Sequence, residues 1–140
     1  MAENASRQFK IFYSWQSDRH RECCKNFIRI AADAAAAKVS ERLHISLTVD
    51  ADTEGVAGTP QISATILRKI EESDIFLADM TLVAETKAGR KVPNPNVMAE
   101  YGYALKCKGL DRILLTMNTA FGSPKEPLIK FRSTRHRNVR

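Results

Sequence analysis

Ile75-Phe76-Leu77-Ala78-Asp79-Met80-Thr81 decides the fold. Four apolar residues run without a polar interruption and stop at a carboxylate. A strand with one face in water alternates apolar and polar residues. A continuous apolar run marks a strand buried on both faces, and so a parallel sheet covered by helices on either side. Asp79 then falls at the carboxyl end of a central strand. Burying a carboxylate is costly unless it is hydrogen-bonded. Asp79 therefore reads either as a turn residue that satisfies nearby N–H groups or as a member of a site.

Towards the C-terminus, residues 82–92 read as a polar loop. The stretch Pro93-Asn94-Pro95-Asn96-Val97-Met98-Ala99-Glu100-Tyr101-Gly102-Tyr103-Ala104-Leu105 follows and reads as a helix start. Asn94 is a good N-cap, and Pro95 suits the first helical position, where a missing N–H costs nothing. Val97, Met98, Tyr101 and Leu105 form an apolar stripe at helical spacing, and Gly109 ends the helix. Glu100 lies off that stripe, about 7 Å along the axis from Pro95 at about 1.5 Å per residue. Asn96 sits one turn before it and Tyr103 nearly one turn after. Amide, carboxylate and phenol thus share one face. That face is either a solvated surface near the positive end of the helix dipole or the wall of a ligand pocket. Arg112-Ile113-Leu114-Leu115-Thr116-Met117 reads as the fourth strand, and Leu128 to Phe131 as a short edge strand or the start of a longer continuation.

Towards the N-terminus, Thr59 caps a helix that Pro60 begins, with Ile62, Ile66 and Ile70 on its inner face. Residues 50–60 form a loop rich in Asp, Gly and Thr, preceded by an alternating strand, Ile45-Ser46-Leu47-Thr48-Val49. Before it comes a long helix, capped by Ser17 or Asp18 and running to about Arg42. Its expected buried face is Cys24, Phe27, Ile28, Ala31, Ala35 and Val39. The first strand is Phe9-Lys10-Ile11-Phe12-Tyr13, ending in the polar turn Ser14-Trp15-Gln16-Ser17-Asp18.

Strand and helix alternate four times, which predicts an α/β three-layer sandwich, flavodoxin-like, with a parallel sheet of four to five strands ordered 2-1-3-4. Ligands in such sheets sit outside the carboxyl ends of the strands, where the order reverses between the first and third. Ser14 to Asp18, Asp79 to Thr81 and the start of the Glu100 helix all belong there. A carboxylate with hydroxyl partners suits a ribose: it accepts hydrogen bonds from the hydroxyls and stabilises the positive charge of a breaking glycosidic bond. Trp15 reads equally as a stacking surface for a base or nicotinamide ring and as a core residue at the sheet edge.

The 140 residues predict one domain, residues 9–131, after a disordered stretch of residues 1–8. An apolar fraction of 44% beside 27% charged residues is ordinary for a soluble globular chain. No apolar run approaches the roughly 20 residues of a membrane span, and the N-terminus has no signal-peptide pattern. Three cysteines, two of them adjacent, argue against a disulfide framework and for a reducing cytoplasm. No Cys/His spacing suggests a metal, and the histidines are scattered. The net charge of +6 is uneven: Lys130, Arg132, Arg135, Arg137 and Arg140 carry +5 of it without an acid among them. The basic character belongs to the last eleven residues, of which 132–140 form a basic tail through which alone nucleic acid is an expected partner.

Four segments together resemble bacterial TIR-like (Toll/interleukin-1 receptor) domains over roughly residues 9–119. They are Lys10-Ile11-Phe12-Tyr13-Ser14-Trp15, the loop Asp52-Thr53-x-Gly55-x-x-Gly58-x-Pro60, the run Ile75 to Thr81, and Asn94-Pro95-Asn96-Val97-x-x-Glu100-x-Gly102-Tyr103. The last is also similar to the motif of nucleoside 2-deoxyribosyltransferases. The resemblance implies cleavage of NAD+ as substrate, with no cofactor, to nicotinamide and ADP-ribose or a cyclic form. It implies Glu100 as the catalytic carboxylate, with Ser14, Trp15, Ser17, Asp79, Asn96 and Tyr103 about the substrate. It also implies that the loop with Asp52, Thr53, Gly55 and Gly58 mediates self-association or gates the site. Bacterial members commonly serve antiphage defence, often with a sensor domain or protein. A non-catalytic TIR interaction module and a deoxyribosyltransferase-like enzyme are the alternatives.

Overall fold

A computed structural model describes residues 7–51 and 64–125. The elements are β1 (Gln8–Ser14), α1 (Lys25–Leu43), β2 (Ser46–Ala51), α2 (Ala64–Glu72), β3 (Ile75–Asp79), β4 (Leu82–Glu85), β5 (Lys91–Pro93), α3 (Pro95–Lys108) and β6 (Ile113–Thr116). Four strands form one parallel sheet in the order β2-β1-β3-β6. This is the expected flavodoxin-like order, with β6 in the fourth position. Both neighbours of β3 pair with it, which is why its side chains from Phe76 to Asp79 are all buried. Thr59, Pro60 and Ile62, the loop with Asp52, Thr53, Gly55 and Gly58, and Leu128 to Phe131 lie outside the described residues.

The pleat sends alternate side chains to opposite faces and divides the core in two. On one face Phe12, Phe76 and Ala78 meet Ile66 and Ile70 of α2 and Val97, Tyr101 and Ala104 of α3. The Phe12 and Phe76 rings stack with centroids 6.0 Å apart. On the other face Ile11, Tyr13 and Leu77 meet Ala36, with Ile28, Ala32 and Trp15 packed around them.

Helix α3 begins and ends where its residues predict. The Asn94 side chain accepts the N–H groups of Asn96 and Val97 at 2.8 and 3.1 Å, and Pro95 opens the first turn. Gly109 closes it at φ +73°, in the left-handed region that glycine enters without steric cost.

Helix α1 corrects the sequence reading twice. Neither Ser17 nor Asp18 caps it. A loop and a short 3-10 turn (Arg21–Cys23) intervene, and the helix starts at Lys25 after Cys24, which makes no side-chain capping bond. The face that packs is Ile28, Ala32 and Ala36, with Ser40 bonded to Leu47 of β2. Phe27 is instead 65% exposed, and Ala31, Ala35 and Val39 are exposed as well. Alanines around the whole helix leave its apolar periodicity without a single phase, so sheet packing, not spacing, chose the inner side. Residues 82–92 are also more than a loop: β4 and β5 pair as an antiparallel hairpin. The Gly89 N–H bonds to the Thr86 carbonyl at 2.9 Å in a turn that needs the positive φ of Gly89.

Candidate functional site

Three segments meet at the carboxyl ends of β1 and β3, where the strand order reverses. They are the loop after β1, the Asp79–Thr81 turn and the start of α3. Asp79 is fully buried. One of its oxygens accepts the Thr81 N–H at 3.0 Å and the Thr81 hydroxyl at 2.5 Å. The other accepts the Gln16 amide at 3.0 Å, and Gln16 in turn accepts the Arg19 N–H at 2.9 Å. The carboxylate therefore ties the loop after β1 to the end of β3 and shapes the crevice from below. Thr81 extends the tie by accepting the Asn118 N–H, while the Asn118 amide reaches the Cys23 carbonyl, each at 3.0 Å.

Ser14, the last residue of β1, is buried, and its hydroxyl has no hydrogen-bond partner among the described residues. Strand alternation puts it on the side of Phe12, the side that α2 and α3 cover. Trp15 falls on the opposite side, packed against the α1 core, with the Lys25 ammonium 3.6 Å over its ring. Ser17 is exposed beside it. Asn96 and Glu100 are half-buried on successive turns of α3. Asp18 joins this helix to the loop, accepting the Asn94 amide at 2.7 Å. The Tyr103 phenol donates to the Glu71 carboxylate of α2, so it links two helices below the crevice. That hydrogen bond also raises the phenol's pKa.

The structure thus brings Ser14 to the α3 side of the sheet and sets Trp15 and Ser17 on the α1 side. Sequence reasoning did not single out Gln16, Thr81 or Asn118. Polar residues in loops usually face water; only Thr81, two residues after Asp79, has a local signal, the turn that an Asp side chain closes. Among the described residues no cluster of His, Cys, Asp or Glu fits a metal ion. No described helix is long and apolar enough to cross a membrane.

The thiols differ sharply. Burial pushes the Cys24 thiol up to about 11, helped by its contact with Cys23 and by the Asp79 charge. Burial likewise raises the Tyr13 phenol above its ordinary value. Both groups hold their protons more tightly in the native than in the unfolded chain. Their contribution to stability is full below an ordinary thiol pKa of about 8.5 and is lost as pH rises through the native values. Iodoacetamide at pH 8 is expected to label exposed Cys107 first and Cys24 only upon unfolding. Fragmentation mass spectrometry of the labelled intact chain locates the label, and early labelling of Cys24 would contradict its burial.

No protein-family model matches this chain, and comparison with curated proteins finds no match.

Proposed function

We propose that this chain is an NAD+ nucleosidase. It cleaves the bond between the nicotinamide nitrogen and C1′ of its ribose, releasing nicotinamide and ADP-ribose, linear or cyclised. The observation that carries this reading is the buried Ser14 hydroxyl at the switch point, on the sheet face that α3 covers, with no hydrogen-bond partner among the described residues. Buried hydroxyls normally find a partner, and a ribose hydroxyl would supply one. Glu100, on the second turn of α3, accepts hydrogen bonds from the ribose and opposes the positive charge that grows on C1′ as nicotinamide departs. Water then attacks C1′, or a nitrogen of the adenine does so to give the cyclic product. Asn96 lies one turn nearer the helix start and orients the substrate. Asp79 holds the floor.

The role that goes with this activity is that of a cytoplasmic effector in bacterial antiphage defence. It self-associates through TIR-type contacts, under the control of a sensor domain or protein. Three free cysteines agree with a reducing compartment. Exposed apolar side chains, Phe27 and Ile30 on α1 and Leu114 on β6, favour a second reading as a non-catalytic interaction module.

Nicotinamide release from NAD+ at high protein concentration, with the protein sized in the same samples, tests the first reading against the second. Assembly without release at any concentration would favour the module. Ser14→Ala adds a sharper test. Removing a hydroxyl that has no partner among the described residues breaks no hydrogen bond there, so thermal stability should not fall. KM for NAD+ should rise about tenfold, the worth of one hydrogen bond of about 1.4 kcal/mol. An unchanged KM would remove Ser14 from the substrate site.

A further inference from the structure

Along the segment from Trp15 to the start of α1 lies an open pocket of about 740 Å³. Trp15 and the side chains of Asp18, Arg19, Arg21, Glu22 and Lys25 line it. From its charges we propose that this pocket binds a diphosphate group, free or carried by a nucleoside. The proposal stands on these charges and not on the nucleosidase reading.

Three cations face one concavity, and none of them forms an ion pair among the described residues. The two carboxylates are engaged by amides instead. Asp18 accepts from Asn94 at 2.7 Å, and Glu22 accepts from Asn26 at 2.8 Å. Two of the three cations are also held in place. The Arg19 guanidinium lies 4.2 Å from the centre of the Phe121 ring, and its Nε donates to the Leu82 carbonyl at 3.0 Å. The other guanidinium nitrogens make no hydrogen bond among the described residues. Lys25 is seated over Trp15, 3.6 Å from its ring centre. Cations already ordered by ring faces lose little freedom when an anion arrives. Helix α1 begins at Lys25 with no side-chain cap, so its positive end adds to the same field. A fork of guanidinium N–H groups with an ammonium beside it matches phosphate oxygens in charge and geometry. The volume exceeds one phosphate and lies in the range of small-molecule sites.

Titration of the full chain with inorganic pyrophosphate at low salt, followed by calorimetry, tests this. Arg21→Glu and Lys25→Glu each change a side chain of the pocket wall, and each is expected to weaken binding at least tenfold. Lys106→Glu, on an exposed position of α3, should leave it unchanged. Adenosine diphosphate in a parallel titration identifies the source. Tenfold tighter binding than pyrophosphate assigns the pocket to a nucleotide, and equal affinity assigns it to the diphosphate alone. No binding by the wild type would overturn the proposal. So would undiminished binding in both charge-reversed variants, which would place the anion on the basic residues 130–140. The readout is binding, so a chain that releases no nicotinamide tests it equally well.

Discussion

Glu100→Gln is expected to lower nicotinamide release from NAD+ about a thousandfold while leaving the melting temperature within about a degree of wild type. The substitution keeps the shape, removes the negative charge and turns one acceptor oxygen into an amide donor. A carboxylate about 4 Å from the positive charge on a departing ribose, in an effective dielectric of about 20, contributes about 4 kcal/mol. That corresponds to about three powers of ten in rate. Loss of single preorganised electrostatic groups elsewhere in catalysis falls in the same range, about 10²–10³. Glu100 is half-buried on a helix that Asn94 caps and Val97, Tyr101 and Ala104 anchor in the core. That cap and those core contacts are made by other residues of the helix. Initial rates of nicotinamide release, read by chromatography beside a thermal melt, separate the two effects. Turnover within tenfold of wild type would take the reaction away from Glu100. A large drop in melting temperature would mean that the charge is structural.

Asp79→Ala is expected to destabilise the fold by about 3 kcal/mol, through buried groups left without partners. For a chain of this size that is a fall of about 10 °C in melting temperature. The Thr81 N–H, the Thr81 hydroxyl and the Gln16 amide would each lose their acceptor, and all three belong to buried residues. Asp79→Asn should cost less. One oxygen can still accept from Thr81, but the new amide would face the Gln16 amide. Gln16 cannot turn its own oxygen towards it without releasing the Arg19 N–H. Thermal melts of both variants at pH 7 should therefore rank Ala below Asn below wild type. An Ala variant as stable as wild type would show that water replaces the carboxylate and that the tie between the two loops is dispensable.

Much of this arrangement is legible in the residues. Asn94, Pro95 and Gly109 define α3 because capping is local chemistry: each acts on groups within a few positions of itself. The run Ile75 to Ala78 specifies a strand buried on both faces, because a central parallel strand has no solvent side to mark with polar residues. The first-strand turn, the end of β3 and the start of α3 then fall together, since strand order and handedness leave few alternatives. The buried side of α1 was not legible. Alanine occupies so many of its positions that Phe27 and Ile28 compete for the inside, and only the sheet decides between them. The hairpin of β4 and β5 was hidden for a related reason. Its strands are short and carry Glu85 and Lys91 opposite one another, so they read as a polar loop.

By itself, the sequence determined the strand–helix alternation, the ends of α3 and the placing of Glu100 on its second turn. All of these depend on neighbours a few residues away. Only the tertiary structure decided that Asp79 holds Gln16, 63 positions earlier in the chain, that the Ser14 hydroxyl has no partner among the described residues, and that Arg19, Arg21 and Lys25 share one concavity. The first two result from segments distant in the chain meeting across a packed sheet, where burial sets the energy of a polar group; the third results from the path that the loop before α1 takes, which no local pattern records.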